Sequence, residues 1–493
     1  METVRVRLLN YANIHVDCES GIAQELSEFF SFFVPGYKFM PAFRNKLWDG
    51  KIRLFNNMTG ELPAGLYLHL LKFIEQRGYE LACYDSPQYG TVDQHNKVDV
   101  RELYNFIGRL GLPFPIRDYQ FDAVSTGVHR KRAILLSPTG SGKSLIIYAL
   151  LRWYLHNHDE KKCLIIVPTT SLVEQLTNDF KEYGMDSENM VHKIYSGKDK
   201  VTNRRIIVST WQSIYKLPKQ WFSQFGVVFG DECHGFKSKS LMSIMNKATE
   251  AEYRFGTTGT LDGSQTHELA LQGLFGSIYR VTSTKSLQDN DTLAKLNIKR
   301  VVLEYDKKTR AEFGSKVYMD EIDFIISHGA RNRFITNLAL SLSGNTLVLF
   351  QRVEQHGKIL FDLIDRKAAE GRKVFFVSGE TDTTDREAIR GIVEKQKDSI
   401  TVASLGTFST GINIKNLHNI VFASPSKSQI RVLQSIGRGL RKSDDGRVTE
   451  LYDISDDLSH GQRKNFSLLH SFERLKMYQK EEFDYQTIKV EIK

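Results

Sequence analysis

The sequence is poor in cysteine and has no long hydrophobic run. Its four cysteines (Cys18, Cys83, Cys163 and Cys233) lie 65 or more positions apart, which fits neither a zinc knuckle nor a disulfide framework. We therefore expect a reducing, cytoplasmic setting. No apolar run approaches the roughly 18 residues that a membrane span requires. The start Met1-Glu2 carries an acid and leads into no apolar segment, so neither a signal peptide nor a membrane partner is expected.

The sequence also lacks internal repeats and low-complexity tracts, and its 493 residues suggest about two to four domains. Positive charge is in excess: the formal net charge is +9, which favours polyanionic partners. The excess of positive charge does not lie in the N-terminal part, because residues 1–112 carry 12 Lys and Arg against 13 Asp and Glu, a net charge of −1. The positive charge therefore belongs to the remainder of the chain.

From Asp118 onward, short apolar runs alternate with helix-length stretches, and the alternation occurs twice. Short strands that are apolar on both faces are typical of a parallel sheet covered by helices. The runs span residues 133–136, 163–167, 206–208, 227–229 and 253–255, then 346–350, 374–377, 400–403, 420–423 and 450–452. The fold class is therefore α/β. We predict a small N-terminal accessory domain (1–112), two lobes (113–292 and 293–455, joined by a linker near 282–297) and a charged helical C-terminal segment (456–493).

A glycine-rich loop opens the first lobe, between a strand ending at Leu136 and a run of helix formers. Glycines let the backbone N–H groups point at phosphate oxygens, and the following helix N-terminus adds positive potential. Lys143 would then lie on the β- and γ-phosphates of ATP, and the Ser144 hydroxyl on Mg²⁺. A chance Gly/Ser turn is the alternative, which the strand–loop–helix context disfavours. The loop consists of Ser137, Pro138, Thr139, Gly140, Ser141, Gly142, Lys143 and Ser144.

Two adjacent acids end a strand further along the first lobe, at Asp231 and Glu232. Asp231 could hold the metal ion through water, and Glu232 could align and deprotonate an attacking water. A solvated acidic turn is the alternative for an isolated pair.

In the second lobe, Arg438 and Arg441 are three residues apart and fall on one helix face. They could reach the γ-phosphate as arginine fingers. An isolated cluster of this kind is most often a solvated basic face. The assignment therefore rests on the order of three motifs along the chain: the glycine-rich loop, the acidic pair and the arginines.

These motifs resemble, in kind and order, those of the superfamily-two helicases of the DExH type, over about residues 114–455. The segment 117–120 is similar to the family's adenine-reading motif, and 258–260 to the motif that couples hydrolysis to strand movement. Segments 168–175 and 209–213 are similar to strand-contacting motifs of the first lobe. Segments 350–352 and 406–413 are similar to motifs of the second.

The resemblance implies two RecA-like lobes, ATP and Mg²⁺ as cofactors, and roles for the matching residues. The sequence departs from the pattern at Ser137, where a smaller residue is usual. It departs again at Asn413, where many relatives carry Asp, so we do not assign Asn413 the usual ribose contact. His234 is a link between the ATP site and the strand-binding motifs or, as an equal alternative, a cap of local backbone. The implied roles are ATP binding for Gln120 and Gly411, coupling for His234, Thr258, Thr260 and Gln434, and nucleic-acid contact for Thr169, Thr170, Thr210, Trp211, Arg352 and Thr407.

A closer resemblance is to the UvsW recombination helicases of tailed phages. It is carried by segments 29–32, 36–44, 48–54, 221–226 and 412–418, which are spread over almost the whole chain. It implies an ATP-dependent DNA helicase that remodels branched DNA in phage recombination, repair and replication, in the host cytoplasm. Fork regression, junction migration and the unwinding of displacement loops and RNA–DNA loops are the implied reactions. The implied partners are DNA that is branched or partly single-stranded, and RNA–DNA hybrids.

The segment 37–55 interleaves cations with aromatic rings. Cations that pair with phosphates, beside rings that stack on bases, suit a nucleic-acid surface. The alternative is that Phe39, Trp48 and Leu54 are core of a small domain. The predicted contacts are Lys38, Arg44, Lys51 and Arg53.

Three other functions are compatible with parts of the sequence. An RNA helicase of the DEAD-box kind is one, although the acidic motif continues Cys233-His234 rather than Ala-Asp. The motor subunit of a restriction enzyme is another, although the chain has no nuclease-like cluster of carboxylates and lysine. A binding protein with an inactive ATP site is the third, and the intact motifs argue against it. For the basic C-terminal segment, which includes Arg474, a solvated helix face is the default expectation.

Overall fold

Two parallel β-sheets dominate the chain, as the alternation of strand-like and helix-length stretches predicts. The computed structural model describes residues 2–83, 98–195, 197–261, 264–290, 295–313, 317–407, 416–424, 446–480 and 482–492. Packing divides the chain into two units, one with residues 1–137 and 141–282, the other with residues 138–140 and 283–493. Each unit contains one seven-stranded parallel sheet among its described strands.

The first unit begins with a small α/β domain. Its main sheet has the order β5-β2-β1-β6, and β3 and β4 pair separately as an antiparallel ladder. Val4 and Val6 point into the core while Arg5 and Arg7 point to solvent, the period-2 alternation of a half-buried strand. The elements are β1 (Thr3–Leu8), β2 (Asn13–Asp17), α1 (Ser20–Phe29), β3 (Ser31–Phe33), α2 (Pro41–Arg44), β4 (Lys51–Arg53), β5 (Glu61–Pro63), α3 (Tyr67–Arg77) and β6 (Glu80–Cys83).

The first lobe follows, with strand order β13-β7-β12-β11-β8-β10-β9. Its central strands are buried along their length because helices cover both faces. The strands are β7 (Arg132–Leu136), β8 (Lys162–Val167), β9 (Val191–Ile194), β10 (Ile206–Thr210), β11 (Phe225–Asp231), β12 (Tyr253–Thr258) and β13 (Ile278–Arg280). The helices are α4 (Val100–Arg109), α5 (Asp118–Arg130), α6 (Lys143–Asn157), α7 (Thr170–Glu182), α8 (Ser187–Met190), α9 (Trp211–Ile214), α10 (Lys219–Phe222), α11 (Lys239–Lys247) and α12 (Gln265–Phe275).

The small domain packs directly on the first lobe. Gly65 lies so close to α12 that a Cβ there would be 1.9 Å from the Gln272 carbonyl oxygen. The ring of His69 lies 2.9 Å from the Gln272 side-chain oxygen, and Arg132 donates a hydrogen bond of 2.6 Å to the Tyr11 carbonyl. Helix α4 belongs to the lobe's own core through Leu103 and its neighbours. The boundary near residue 112 stays a prediction, and the packing groups α4 with the lobe that follows it.

The second lobe has strand order β16-β17-β15-β18-β19-β14-β20, all parallel. Its strands are β14 (Leu296–Glu304), β15 (Thr346–Phe350), β16 (Lys373–Val377), β17 (Ser399–Ser404), β18 (Asn419–Phe422), β19 (Thr449–Asp457) and β20 (Asp484–Glu491). Its described α-helices are α13 (Thr284–Asp289), α14 (Lys307–Phe313), α15 (Tyr318–Ser327), α16 (Gly329–Ser341), α17 (Lys358–Asp365), α18 (Thr383–Lys395) and α19 (Phe466–Lys480).

The end of the chain differs from the expectation of a charged helical segment. The helix is present as α19, but β20 follows it and pairs with β14 at the edge of the sheet. Arg474 of α19 is buried and lies 2.7 Å from the Asp453 carboxylate of β19. The expectation of a solvated basic face is therefore wrong for Arg474, because this cation neutralises a buried acid and anchors the helix.

Candidate functional site

The glycine-rich loop adopts the curled backbone that its sequence predicts. Gly140 and Gly142 have φ of 85° and 83°, in the left-handed region that favours glycine. A Cβ on Gly142 would lie 2.3 Å from the Gln120 amide nitrogen. The hydroxyls of Ser137 and Ser141 hydrogen-bond to each other inside the protein. Ser137 thus closes the loop at its base, which gives this departure from the family pattern a structural role.

Gln120 braces the loop from α5. Its side-chain oxygen accepts from the Arg117 amide (3.0 Å), and its nitrogen donates to the Ser141 carbonyl (2.8 Å). Only 4% of the residue is exposed. Its contact with the adenine base stays a prediction. Thr139 lies half-buried in the same loop.

The predicted catalytic residues of the first lobe meet at the carboxyl ends of β7 and β11, which β12 separates in the sheet. Lys143 Nζ lies 3.0 Å from Glu232 Oε1. Asp231 Oδ1 accepts from Thr257 Oγ1 (2.8 Å) and from the Glu232 amide (2.9 Å), and the metal-binding role of Asp231 stays a prediction. Glu232 has φ of 49°, a left-handed conformation that is rare for a residue with a side chain. Such strain is concentrated at functional sites.

The two acids differ in their electrostatic environment. Burial raises the pKa of Asp231, and the neighbouring charge of Glu232 raises it further. Burial also opposes ionisation of Glu232, but the charge of Lys143 and the interactions with His234 outweigh it and hold the pKa of Glu232 below its ordinary value. Two carboxyl groups whose pKa values are pushed apart suit two different tasks.

A polar chain leads from the acids to the predicted coupling residues. His234 Nδ1 lies 3.4 Å from Glu232 Oε2 and 3.0 Å from Thr258 Oγ1. The Thr258 hydroxyl donates 3.0 Å to the Thr260 carbonyl. His234 therefore faces side chains of β12 and its loop, rather than capping local backbone. Its coupling role stays a prediction.

Ser144 has a partner that the sequence does not reveal. Its hydroxyl lies 3.0 Å from the hydroxyl of Tyr183, a residue 39 positions away at the end of α7. Tyr183 is a buried core residue, and the ring of Phe114 packs edge-on against it at 5.8 Å. No spacing rule or motif points to this contact.

The first-lobe strand motifs also lie together. Val167 and Thr210, the last residues of β8 and β10, are paired neighbours in the sheet. Thr169 caps α7 and Thr170 is exposed, while Thr210 is buried and hydrogen-bonds to Ser213 (2.9 Å). The two loops are joined by Gln212, which donates 3.4 Å to the Pro168 carbonyl, and the Trp211 ring packs against Tyr215.

In the second lobe, the predicted strand contacts are already engaged. Arg352 follows β15 and pairs with Asp323 and Gln355. Thr407 is buried, and its hydroxyl accepts from Ser404 at 2.6 Å. Both nucleic-acid roles stay predictions. Gly411, Gln434, Arg438 and Arg441, and also Asn413, lie outside the described residues.

In the small domain, Lys38 and Arg44 are exposed, Lys51 lies 5.0 Å over the Phe33 ring, and Arg53 pairs with Asp49. The core interpretation holds for Leu54, which packs against the core of the small domain, and Trp48 is half-buried. It does not hold for Phe39, which is 77% exposed.

Among the residues that the structure describes, no three His, Cys, Asp or Glu side chains come together as a metal-binding group. Ser144 and Asp231 offer oxygen donors, and Mg²⁺ is usually held by one or two such protein groups together with substrate phosphates. The donor set therefore fits Mg²⁺ brought with ATP. Within the described part of the chain, no helix is long and apolar enough to cross a membrane.

Three family models match the chain. "DNA helicase UvsW, N-terminal" matches residues 3–84, "Type III restriction enzyme, res subunit" matches 113–263, and "Helicase conserved C-terminal domain" matches 330–443. The chain is 37% identical to the ATP-dependent DNA helicase uvsW of Enterobacteria phage T4, over 98% of both chains. It is 24% identical to a DNA 3'-5' translocase XPB2 of Sulfurisphaera tokodaii, over 68% of this chain and 82% of that protein.

Two solved structures also match the chain. The crystal structure of T4 UvsW matches 99% of both chains at 34% identity, with a TM-score of 0.51. A DNA-bound restriction-modification enzyme, LlaBIII, matches 85% of this chain and 34% of its own at 14% identity, with a TM-score of 0.57, and it supports the fold alone.

Proposed function

The chain belongs to the family of the phage ATP-dependent DNA helicase UvsW, and from this premise we propose that it is a motor that remodels branched DNA. The family membership makes it an ATP-hydrolysing DNA helicase. The observation that carries the mechanism is the continuous polar chain from Lys143 through Glu232 and His234 to Thr258. This polar chain connects the phosphate loop to the loop after β12. Strand β12 lies in the same sheet as β8 and β10, at whose ends Thr169 and Thr210 lie.

In the proposed reaction, Lys143 exchanges its contact with Glu232 for the β- and γ-phosphates of ATP. Glu232, freed of that partner, aligns the attacking water and takes its proton. Ser144 and Asp231 would hold Mg²⁺, which would neutralise charge on the transferred phosphoryl group. Because His234 lies against both Glu232 and Thr258, a change in Glu232 alters the Thr258–Thr260 loop.

The second lobe contributes Arg438 and Arg441 to this proposal, on the basis of their match to the family motif. Guanidinium groups stabilise the charge of the transferring phosphoryl group, which is worth about 10³–10⁵ in rate in other nucleotide hydrolases. Gln434 and Gly411 are assigned to coupling and nucleotide binding on the same basis.

We propose DNA forks, four-way junctions, displacement loops and RNA–DNA loops as substrates, in the cytoplasm of a phage-infected cell. Two features support a branched substrate: the match of the small domain to a UvsW-type N-terminal domain, and its exposed cations Lys38 and Arg44. A DEAD-box RNA helicase and a restriction motor are not favoured, since the similarity to the DNA helicase extends over 98% of the chain.

The test is the ATPase rate with single-stranded DNA, duplex DNA, a four-way junction, an RNA–DNA loop and duplex RNA, each at several salt concentrations. Preferential stimulation and strand exchange on branched DNA are expected. Stimulation by duplex RNA alone would refute the proposal.

Two variants test the site itself. Lys143→Ala should lose nucleic-acid-stimulated turnover, since the proposed reaction needs this cation on the β- and γ-phosphates of ATP. Glu232→Gln should bind ATP and stall. Parent-like turnover by either variant would remove that residue from its assigned role.

A further inference from the structure

The small domain carries large apolar side chains in open solvent among cations. Residues 31–53, here called the front arm, consist of β3, α2, β4 and the loops between them. Phe39 is 77% exposed and Leu47 is 81% exposed. Lys38, Arg44 and Lys46 flank them in sequence and are exposed as well. Apolar side chains that folding leaves in water, ringed by charge, mark an interaction site.

The other rings of the front arm are used to build it. Phe33 stacks on Tyr37 at 4.7 Å, and Tyr37 meets Phe43 edge-on at 4.8 Å. Trp48 donates 2.8 Å to the Lys51 carbonyl. A Cβ on Gly50 would lie 2.3 Å from the Tyr37 ring, so the turn closes directly on this stack. The internal stack holds the arm in shape.

The front arm is fastened to the first lobe. Thr266, in the first turn of α12, donates 3.1 Å to the Phe33 carbonyl at the base of the arm. Helix α12 follows the loop of Thr258 and Thr260, and Gly65 packs against its far end. The arm, α12 and the coupling loop therefore belong to one packed unit.

We propose that Phe39 and Leu47 form an apolar edge that stacks on the base pair exposed at a DNA branch. A terminal base pair presents an apolar face bordered by phosphates, and the front arm presents apolar side chains bordered by Lys38, Arg44 and Lys46. The two surfaces are complementary in both polarity and charge. The inference rests on the proposed function and names the part of the branch that the small domain binds.

The attachment to the first lobe gives the edge a mechanical role. Because the arm and the strand motifs at Thr169 and Thr210 lie in the same unit, the edge keeps a constant distance from the tracked strand. Each advance of that lobe therefore presses the edge against the next base pair. Stacking on Phe39 and Leu47 replaces the base stacking that is lost when the pair opens.

The double variant Phe39→Ala with Leu47→Ala tests this. Its ATPase rate with single-stranded DNA should stay within about twofold of the parent. Unwinding of a synthetic fork should fall about tenfold, as expected for the loss of base–aromatic stacking. Met58→Ala is the matched control, because Met58 is 92% exposed in the same domain but lies outside the arm. The single variant Phe39→Trp, with Leu47 unchanged, should retain fork unwinding.

Stacking on the base pair can be measured directly by the fluorescence of 2-aminopurine placed at the branch. Binding of the full chain should change its fluorescence, and the double variant should leave it as in free DNA. If the parent prefers branched DNA and the double variant unwinds it equally fast, the inference is wrong and the proposed function stands. If the parent itself shows no preference for branched DNA, the proposed function fails first.

Discussion

His356 places an ionisable ring inside the second lobe, next to the end of β18. Its Nδ1 lies 2.9 Å from the Ser424 hydroxyl, which also accepts from the Gln351 amide. Burial, together with repulsion from Arg331, lowers the pKa of His356 from 6.5 to about 3. The ring thus connects the loop after β15 to Ser424, which follows β18.

The depressed pKa sets a direction for the effect of pH. Between pH 3 and 6.5 the unfolded chain binds a proton at this histidine that the folded chain does not. Stability is therefore present above pH 6.5 and lost as the pH falls, by up to about 1.4 kcal/mol per pH unit. His356→Asn should lose less unfolding free energy between pH 7 and pH 5 than the parent, as measured by denaturant unfolding. His192→Asn is the control, and an equal loss in His356→Asn and parent would contradict the assignment.

Tyr183 holds the Ser144 hydroxyl that the proposed reaction needs for Mg²⁺. This hydrogen bond competes with Mg²⁺ for the Ser144 hydroxyl, and because such a bond is worth about 0.5–1.5 kcal/mol net, it should weaken metal binding by about two- to twelvefold. Tyr183→Phe should therefore lower the Mg²⁺ concentration needed for half-maximal ATPase by that factor. Tyr148→Phe is the matched control: its hydroxyl donates 3.2 Å to the Tyr183 carbonyl and does not reach Ser144. A raised or unchanged Mg²⁺ requirement in Tyr183→Phe would show that Tyr183 is not a competitor.

Among helices and strands, ten strands were predictable, including the edge strand β16, whereas the edge strands β9, β13 and β20 were not. The run at residues 346–350 coincides with β15, and the other nine predicted runs overlap strands. Strands β9 and β13 have only four and three residues, too short for a clear pattern. β20 is exposed along most of its length. It forms because β14 offers it a free row of backbone hydrogen-bonding groups, and a long-range pairing of this kind leaves no periodic apolar signal.

In two places, distant pairing decides where an element begins or ends. Helix α1 ends at Phe29, and residues 31–33 form β3 because Lys51–Arg53 pairs with them. The linker near residues 282–297 contains α13 and the first residues of β14. In both places, pairing with a distant strand outweighs local propensity.

The packing of the small domain on α12 depends on a glycine. A Cβ at Gly65 would lie 1.9 Å from the Gln272 carbonyl and 2.8 Å from the Gly273 carbonyl, so backbone must move. Gly65→Ala should destabilise this interface by about 1–3 kcal/mol and release the small domain to limited proteolysis. Gly21→Ala is the control, because nothing lies within 4 Å of the new methyl group. Equal protease resistance of the two variants would mean that the interface adapts.

For the whole molecule, the division into two units separates the ATP-site residues. Residues 1–282 contain their own described cores and hold Lys143, Asp231 and Glu232, while Arg438 and Arg441 lie beyond residue 282. The fragment 1–282 should unfold cooperatively and bind ATP, yet hydrolyse it about 10³-fold more slowly than the full chain. Calorimetry and steady-state ATPase measurements check both parts. Turnover by the fragment at the parent rate would exclude the arginines from catalysis.

The sequence by itself determined the α/β class, the tandem lobes and the phosphate loop with its acidic pair. These features are local: a loop of eight consecutive residues carries its own turn chemistry, and apolar periodicity reports burial strand by strand. Tertiary structure alone decided that Tyr183 engages Ser144, that His234 bridges Glu232 and Thr258, and that Phe39 stays in solvent while Phe55 is buried. Ser144 and Tyr183 are 39 positions apart and His234 and Thr258 are 24 apart, and only the topology of the sheets sets which of them meet.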